Sequence, residues 1–256
     1  MVGDRYAKEI RQGLGFLAAW LPNESIEVGQ IGEIDDGQFQ PTGHLRDLDF
    51  EIEVENAPAR ASLSHRSSNG VEITFKAQGD ASIVLPGVSA EQAGVRMRFR
   101  RRSGVVFQAD GVRVTRLKPS NALEQLVCDG HRDGSWKSSW VVVDSVVKAS
   151  HVTAIVSNAK GAEASLRASA GVESVTDLAK AEIGLKVAHE KDLATCIVAE
   201  GPLTPLFTAK VLRRRRWRRG DHGALEAAFE PLPSDPDEEA DAESEDVALI
   251  AYDYPA

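Results

Sequence analysis

Apolar and polar positions alternate along most of this chain, and the period lengthens in only a few places. Near the N-terminus, Tyr6, Ile10, Leu14 and Leu17 recur at spacings of four, four and three, while Lys8, Glu9, Arg11 and Gln12 fall elsewhere. That spacing predicts an amphipathic helix over residues 5–20, ended by Pro22 and Asn23. Beyond it the period shortens to two. Ile26 and Val28 flank Glu27, and Asp35-Asp36-Gly37 reads as a turn leading into Phe39. Phe50, Ile52 and Val54 alternate with Asp49, Glu51, Glu53 and Glu55. Val71, Ile73 and Phe75 alternate with Glu72, Thr74 and Lys76, and Val95, Met97 and Phe99 with Arg96, Arg98 and Arg100. Side chains on a strand point to opposite faces in turn, so each run predicts a strand with one apolar face.

The helical period returns once, after the N-cap candidate Ser120, with Leu123, Leu126 and Val127 on one side as far as Asp129-Gly130. Trp140 to Val147 is apolar on both faces and rich in β-branched residues, which predicts a strand buried on both sides. Val152–Val156 and Ala162–Ala168 read as a pair of strands around a turn at Asn158–Gly161. Ile183–Ala188 and Leu193–Ala199 read as a hairpin around Glu190-Lys191-Asp192, and Leu203–Leu212 as a last strand. Pro231, Pro233 and Pro236 within an acidic run predict a largely disordered tail, interrupted by one apolar patch from Val247 to Tyr252. The pattern as a whole predicts an α+β fold: a mixed, mostly antiparallel twisted sheet with an N-terminal amphipathic helix and one or two further helices. It divides the chain into a single body over residues 1–212, a junction at 213–219 and a tail at 220–256.

Composition narrows the class. The 256 residues are 42% hydrophobic and 27% charged, ordinary values for a globular protein. No stretch approaches the ~18 apolar residues of a membrane-spanning helix, and the start has no apolar core of a secretion signal, so the expected compartment is the cytoplasm. Cys128 and Cys196 are too few and too far apart for a disulfide framework or a metal knot, and two reduced, buried thiols are expected.

Charge changes the picture more. The net charge of −9 conceals a polarity: residues 220–256 hold 12 of the 39 acidic residues and no Lys or Arg, whereas residues 1–219 hold all 30 basic ones. Six arginines fall in one run, Arg213, Arg214, Arg215, Arg216, Arg218 and Arg219, interrupted only by Trp217. Such a cluster suits contact with phosphate and base stacking, or docking at an anionic bilayer, where each charge contributes ~1 kcal/mol. The acidic tail tethered beside it would compete for the same arginines, which makes it a masked cationic site. Arg213, Arg216 and Arg219 also form a cleavage region for a trypsin-like protease. A second cationic candidate is the row Arg96, Arg98, Arg100 and Arg102, with Arg101 beside it. Like charges ~7 Å apart on one strand face require a partner: acidic lipid, nucleic acid or an acidic strand such as 49–55.

Enzymatic signatures are missing. No glycine-rich phosphate loop, Gly-x-Ser-x-Gly elbow or His-Glu-x-x-His pair occurs, and the six histidines never gather at ligand spacing. No catalytic residue, metal or cofactor is assigned, and a non-enzymatic protein is expected. A further reading is a small-molecule-binding or enzymatic β-domain with its site dispersed across loops.

Several segments together resemble the pore-forming domain of gasdermins. Gly37-Gln38-Phe39-Gln40-Pro41-Thr42-Gly43-His44-Leu45 is similar to that family's Gly-x-Phe-x-Pro-Val-x-x-Leu segment, which also follows an N-terminal helix. Trp140 to Val147 looks like its Tyr-Val-Val-Thr-Glu-Val-Leu strand, and Ile183–Val187, Ile197-Val198 and Leu206 look like the later strands before its linker. The resemblance implies a cytosolic monomer held inactive by a C-terminal element. An activating protease frees it, after which it binds the acidic inner face of the cell membrane, forms a homo-oligomeric pore and permeabilises the membrane, as in cell death and antiviral defence. Segments 49–55, 70–76 and 95–102 would supply the membrane hairpins. Residues 220–256 would stand in for the repressor domain of larger members, as short tails do in bacterial relatives. Bacterial members often carry a lipidated Cys near the N-terminus, and this chain has none there. The alternative is a non-enzymatic nucleic-acid-binding or regulatory protein whose Arg–Trp cluster is masked by the acidic tail.

Overall fold

The alternating runs assemble into two antiparallel sheets that share apolar layers. The computed structural model describes residues 2–19, 25–35, 37–58, 60–68, 70–180, 183–214 and 247–252. In chain order the elements are α1 (Val2–Leu14), β1 (Leu17–Ala18), β2 (Gln30–Asp35), β3 (Gln38–His44), β4 (Val54–Asn56), β5 (Arg60–Arg66), β6 (Val71–Lys76), β7 (Ala93–Phe99) and β8 (Val105–Leu117). There follow α2 (Asn121–Asp133), β9 (Val141–Ser157), β10 (Glu163–Ala168), β11 (Lys186–Lys191), β12 (Leu193–Arg214) and β13 (Val247–Ala251), with short 3-10 turns at Leu45–Leu48 and Val175–Ala179. Among the described residues all strand pairs are antiparallel. The fold is α+β and mostly sheet.

The long strands β8, β9 and β12 form the centre of the large sheet. β9 pairs with β12 along one side, and with β8 and then β2 along the other. β4 and β5 add to the far side of β8, β1 and β13 to the far side of β12, and β3 to β2. The small sheet runs β11-β10-β7-β6.

Alternation on the central strands feeds two layers. Val105, Phe107 and Ala109 on β8, with Ala154 and Val156 on β9, pack under Tyr6 and Ile10 of α1. Val106 and Ile155 point the other way, into a layer with Val95, Met97 and Leu166 of the small sheet. Burial of β9 on both faces follows the expectation from Trp140–Val147: Val141 and Val143 enter one cluster, Val142 another.

Other expectations are corrected by pairing. The N-terminal helix stops at Leu14 because Gly15 turns left-handed (φ 76°), and Leu17 joins β1 opposite Phe207. Residues 20–24, with the expected stops Pro22 and Asn23, lie outside the described residues. Ile26 and Val28 are buried in a loop that packs on Phe39 rather than in a strand. Trp140–Val147 and Val152–Val156 are one 17-residue strand, and Leu193–Ala199 and Leu203–Leu212 are one 22-residue strand. The latter keeps its direction through register shifts around Gly201 (φ 126°). Segments 183–188 and 193–199 do not form a hairpin. Asp192 turns left-handed (φ 53°) and sends the chain from one sheet to the other, so β11 pairs with β10. In 49–55 only Val54 and Glu55 are strand, while Phe50 and Ile52 rest on the cluster around α2. The helix expected after Ser120 is α2, and it ends at Gly134 in the left-handed region.

Candidate functional site

The apolar patch at the end of the chain is a strand. β13 lies antiparallel on β12, with Lys210 opposite Ala251, Leu212 opposite Leu249 and Arg214 opposite Val247. The ladder continues one residue further, where the Tyr252 amide donates to the Ala209 carbonyl at 2.8 Å. Leu249 packs with Leu212 and Trp140 on the cluster that carries Leu123 and Val127 of α2. Tyr252 packs on the cluster around Phe39 and Phe207, and its carbonyl accepts from Arg11 of α1 at 3.4 Å. Burial raises the Tyr252 hydroxyl pKa, partly opposed by the charge of Arg213. Residues 247–252 therefore touch the long central strand, the helix α2 and the helix α1.

This places the arginine run. Arg213 and Arg214 are the last residues of β12 and sit inside the ladder with β13, opposite Ala248 and Val247. Arg215, Arg216, Trp217, Arg218 and Arg219 lie outside the described residues. Every bond between residues 214 and 247 belongs to the single covalent connection between β13 and the body. Of the cleavage region, Arg213 has its backbone engaged in the sheet, and Arg216 and Arg219 are not described.

The row on β7 is not a free cationic face. The strand stops at Phe99, so Arg100 and Arg102 leave it through a bend and a turn that closes at Ser103 (φ 64°). Arg98 pairs with Glu163 of β10 at 3.2 Å and Arg100 with Glu72 of β6 at 3.3 Å. The acidic partners are the neighbouring strands of the small sheet, not segment 49–55, whose Glu53 pairs with Lys118 at 2.9 Å. Arg96 is half-buried between Thr74 and Ser165.

The turn carries Arg101 and Arg102 elsewhere. Together with Arg5 and Lys8 of α1 they line a cavity of about 280 Å³. Arg5 donates to the Ser103 hydroxyl at 2.8 Å, and Arg101 to the Ser68 carbonyl. The carboxylate at the rim, Glu9, is engaged by His65 at 3.2 Å and by the Ser67 hydroxyl at 3.1 Å. Four cations around one basin, with the nearby carboxylate occupied, suit an anionic group such as phosphate. Arg5 and Lys8 were missing from the candidates read in sequence. The available signal was their i, i+3 spacing on the polar side of an amphipathic helix.

Among the described residues no group of His, Cys, Asp or Glu is placed to hold a metal ion. Burial, with the charge of Glu190, pushes the Cys196 thiol up to about 11, which suppresses the thiolate. Cys128 is buried on α2. No helix of the described residues is long and apolar enough to cross a membrane. No protein-family model matches this chain, and no curated protein matches its sequence.

Proposed function

We propose that this is an autoinhibited, membrane-permeabilising protein of the gasdermin kind, with β13 as its latch. The observation that carries the reading is the seating of the terminal strand on β12, directly beside the start of the arginine run. While the connection is intact, β13 rebinds its edge at a high effective concentration, of the order of millimolar for a tether of this kind. Five residue pairs and one half-buried leucine then suffice to keep it closed. A protease acting between residues 215 and 219 would convert this into a bimolecular contact between a short peptide and a sheet edge. At cellular concentrations that contact dissociates, uncovering the edge of β12 from Lys210 to Arg214.

Two further features support the reading. The alternating segments around 70–76 and 95–102 are β6 and β7, adjacent antiparallel strands of the small sheet. The basin of Arg5, Lys8, Arg101 and Arg102 offers a site for an acidic lipid headgroup. In the active state the partners are the acidic membrane and further copies of the chain. The same basin would also take a phosphate of nucleic acid, the alternative reading, and the vesicle test below separates the two.

The test is dye release from vesicles containing about 30% anionic phospholipid, using the full chain before and after brief trypsin treatment. Cleavage within 215–219 is expected to raise the leakage rate at least tenfold, and neutral vesicles to remain tight. Equal, negligible leakage from intact and cut protein on anionic vesicles would overturn the proposal.

A further inference from the structure

Two edges of the large sheet have no strand partner among the described residues. One is the outer side of β12 from Leu193 to Leu203, before β1 takes over at Leu206. The other is the outer side of β5, whose inner side pairs with β8. They are the two ends of one strip, β5-β8-β9-β12, held in register. Leu63, Ala109, Val152 and Ala199 lie on one line across it, and His65, Phe107, Ala154 and Ile197 on the next but one. Unpaired backbone donors and acceptors along such edges are templates for another strand. On β12 the row reads Leu193-Ala194-Thr195-Cys196-Ile197-Val198-Ala199, partly buried throughout.

We propose that the free edge of β12, residues 194–200, is an interaction surface for β5 of a second copy of this chain. Direction, face and charge agree. Each neighbour in the strip is antiparallel, so β5 runs antiparallel to β12. A second copy set beside the first by simple rotation presents β5 in the antiparallel sense. Without stagger, Leu63 opposes Ala199 and His65 opposes Ile197, all on the face of the α1 layer, while Arg66 opposes Cys196 on the other face. The β12 edge is acidic at Glu200, with Asp192 immediately before the strand. The β5 edge is basic at Arg66, with Arg101 bonded to the Ser68 carbonyl at its end. An antiparallel pair of two β12 edges centred on Cys196 would instead set Asp192 against Glu200. The unlike pairing is the complementary one. An interface between two different edges does not close after two copies, so it adds copies in series. As an account of how a pore is assembled it rests on the proposed function; as a contact between copies it is tested without a membrane.

The test uses the full chain with Cys128→Ala, which leaves Cys196 as the one thiol. Arg66→Cys is added, and the protein is oxidised and run on a non-reducing gel. Within one copy residues 66 and 196 are three strand spacings apart, about 14 Å, too far for a disulfide. Any bond between them joins two copies. Both edges lie clear of β13, and oxidation traps even brief encounters between intact copies, so a ladder of dimers, trimers and larger species is expected, abolished by Cys196→Ser and reduced several-fold by Glu200→Arg. A ladder from Ser64→Cys instead supports the same surface with the register moved by two residues. Dimers alone from the Cys128→Ala parent would mean β12 pairs with β12 and would overturn the proposal. So would products independent of Cys196, or none at any position while melting shows the variants folded. Leakage after cleavage without a ladder would remove this contact and leave the pore reading standing, and a ladder without leakage would do the reverse.

Discussion

Lys76 occupies a polar position of an alternating strand, yet it is 1% exposed. Its ammonium group donates to the carbonyls of Ser89 and Ala90, both at 2.9 Å, and of Gln92 at 2.8 Å. One side chain thus gathers the loop that joins β6 to β7. Lys76→Met is expected to destabilise the protein by about 2–4 kcal/mol, because charge-assisted bonds are lost and three carbonyls stay dry. Urea unfolding checks it, and a midpoint unchanged from the parent would contradict the clamp. Asp177 does related work in the turn Val175–Ala179. Burial pushes its carboxyl up, but that is outweighed by Lys180 at 2.7 Å and by the amides of Glu173 and Ser174 with the Ser174 hydroxyl. The carboxyl is held well below the usual carboxylate range. Its folded-state value is depressed, so its contribution is present above about pH 4 and is lost as pH falls below that. Asp177→Asn should therefore melt below the parent at pH 7, with the gap narrowing between about pH 4 and 2. A gap that stays constant with pH would rule out the assignment.

At the scale of elements, the informative one is β13. Its sequence, Val-Ala-Leu-Ile-Ala, shows that it is apolar but not what it covers. Ile250 is 46% exposed while Leu249 faces Leu212 and Trp140, and Tyr252 packs beside Phe39 and Phe207, so Leu249 and Tyr252 are the docking side chains among those described. Leu249→Asp is expected to cost about 1–2 kcal/mol of local stability. The consequence is local because β13 pairs with β12 alone. Amide exchange at residues 249–252 should speed at least fivefold while the melting temperature of the body moves little. Global melting in step with that exchange would show that β13 belongs to the cooperative core and is not a latch. β11 teaches the complementary lesson. Residues 183–188 and 193–199 look like the arms of a hairpin, but Asp192 redirects the chain and β11 finds β10. Strand alternation specifies a face, not a neighbour.

At the scale of the molecule, the two sheets meet across a layer that is not wholly apolar. Gln108 is fully buried on β8, on the side of Val106, and neither atom of its amide has a hydrogen-bond partner among the described residues. Beside it on β9, Thr153 donates to the Leu178 carbonyl of the turn that lies across the layer. An unsatisfied buried amide costs about 1–3 kcal/mol. Gln108→Met, close in volume, is expected to raise stability by about 1 kcal/mol and the melting temperature with it. A lower melting temperature would show that the amide is satisfied in solution.

The sequence by itself determined the class of this protein. Period-two runs, two short helical stretches and the opposed charge blocks are local properties, and they were enough for an antiparallel α+β body with a basic junction and an acidic tail. They also located β6, β7, β9, β10 and α2, because each buries a face that its own residues define. Which strand lies beside which was decided only in the tertiary structure. The joining of residues 193–214 into one strand, the pairing of Arg98 and Arg100 with Glu163 and Glu72, and the gathering of Arg101 and Arg102 with Arg5 and Lys8 all depend on contacts far apart in the chain. The same holds for the terminal strand, whose partner lies more than thirty residues before it. Backbone pairing is indifferent to sequence distance, and an apolar pentapeptide carries no address until the sheet edge that receives it exists.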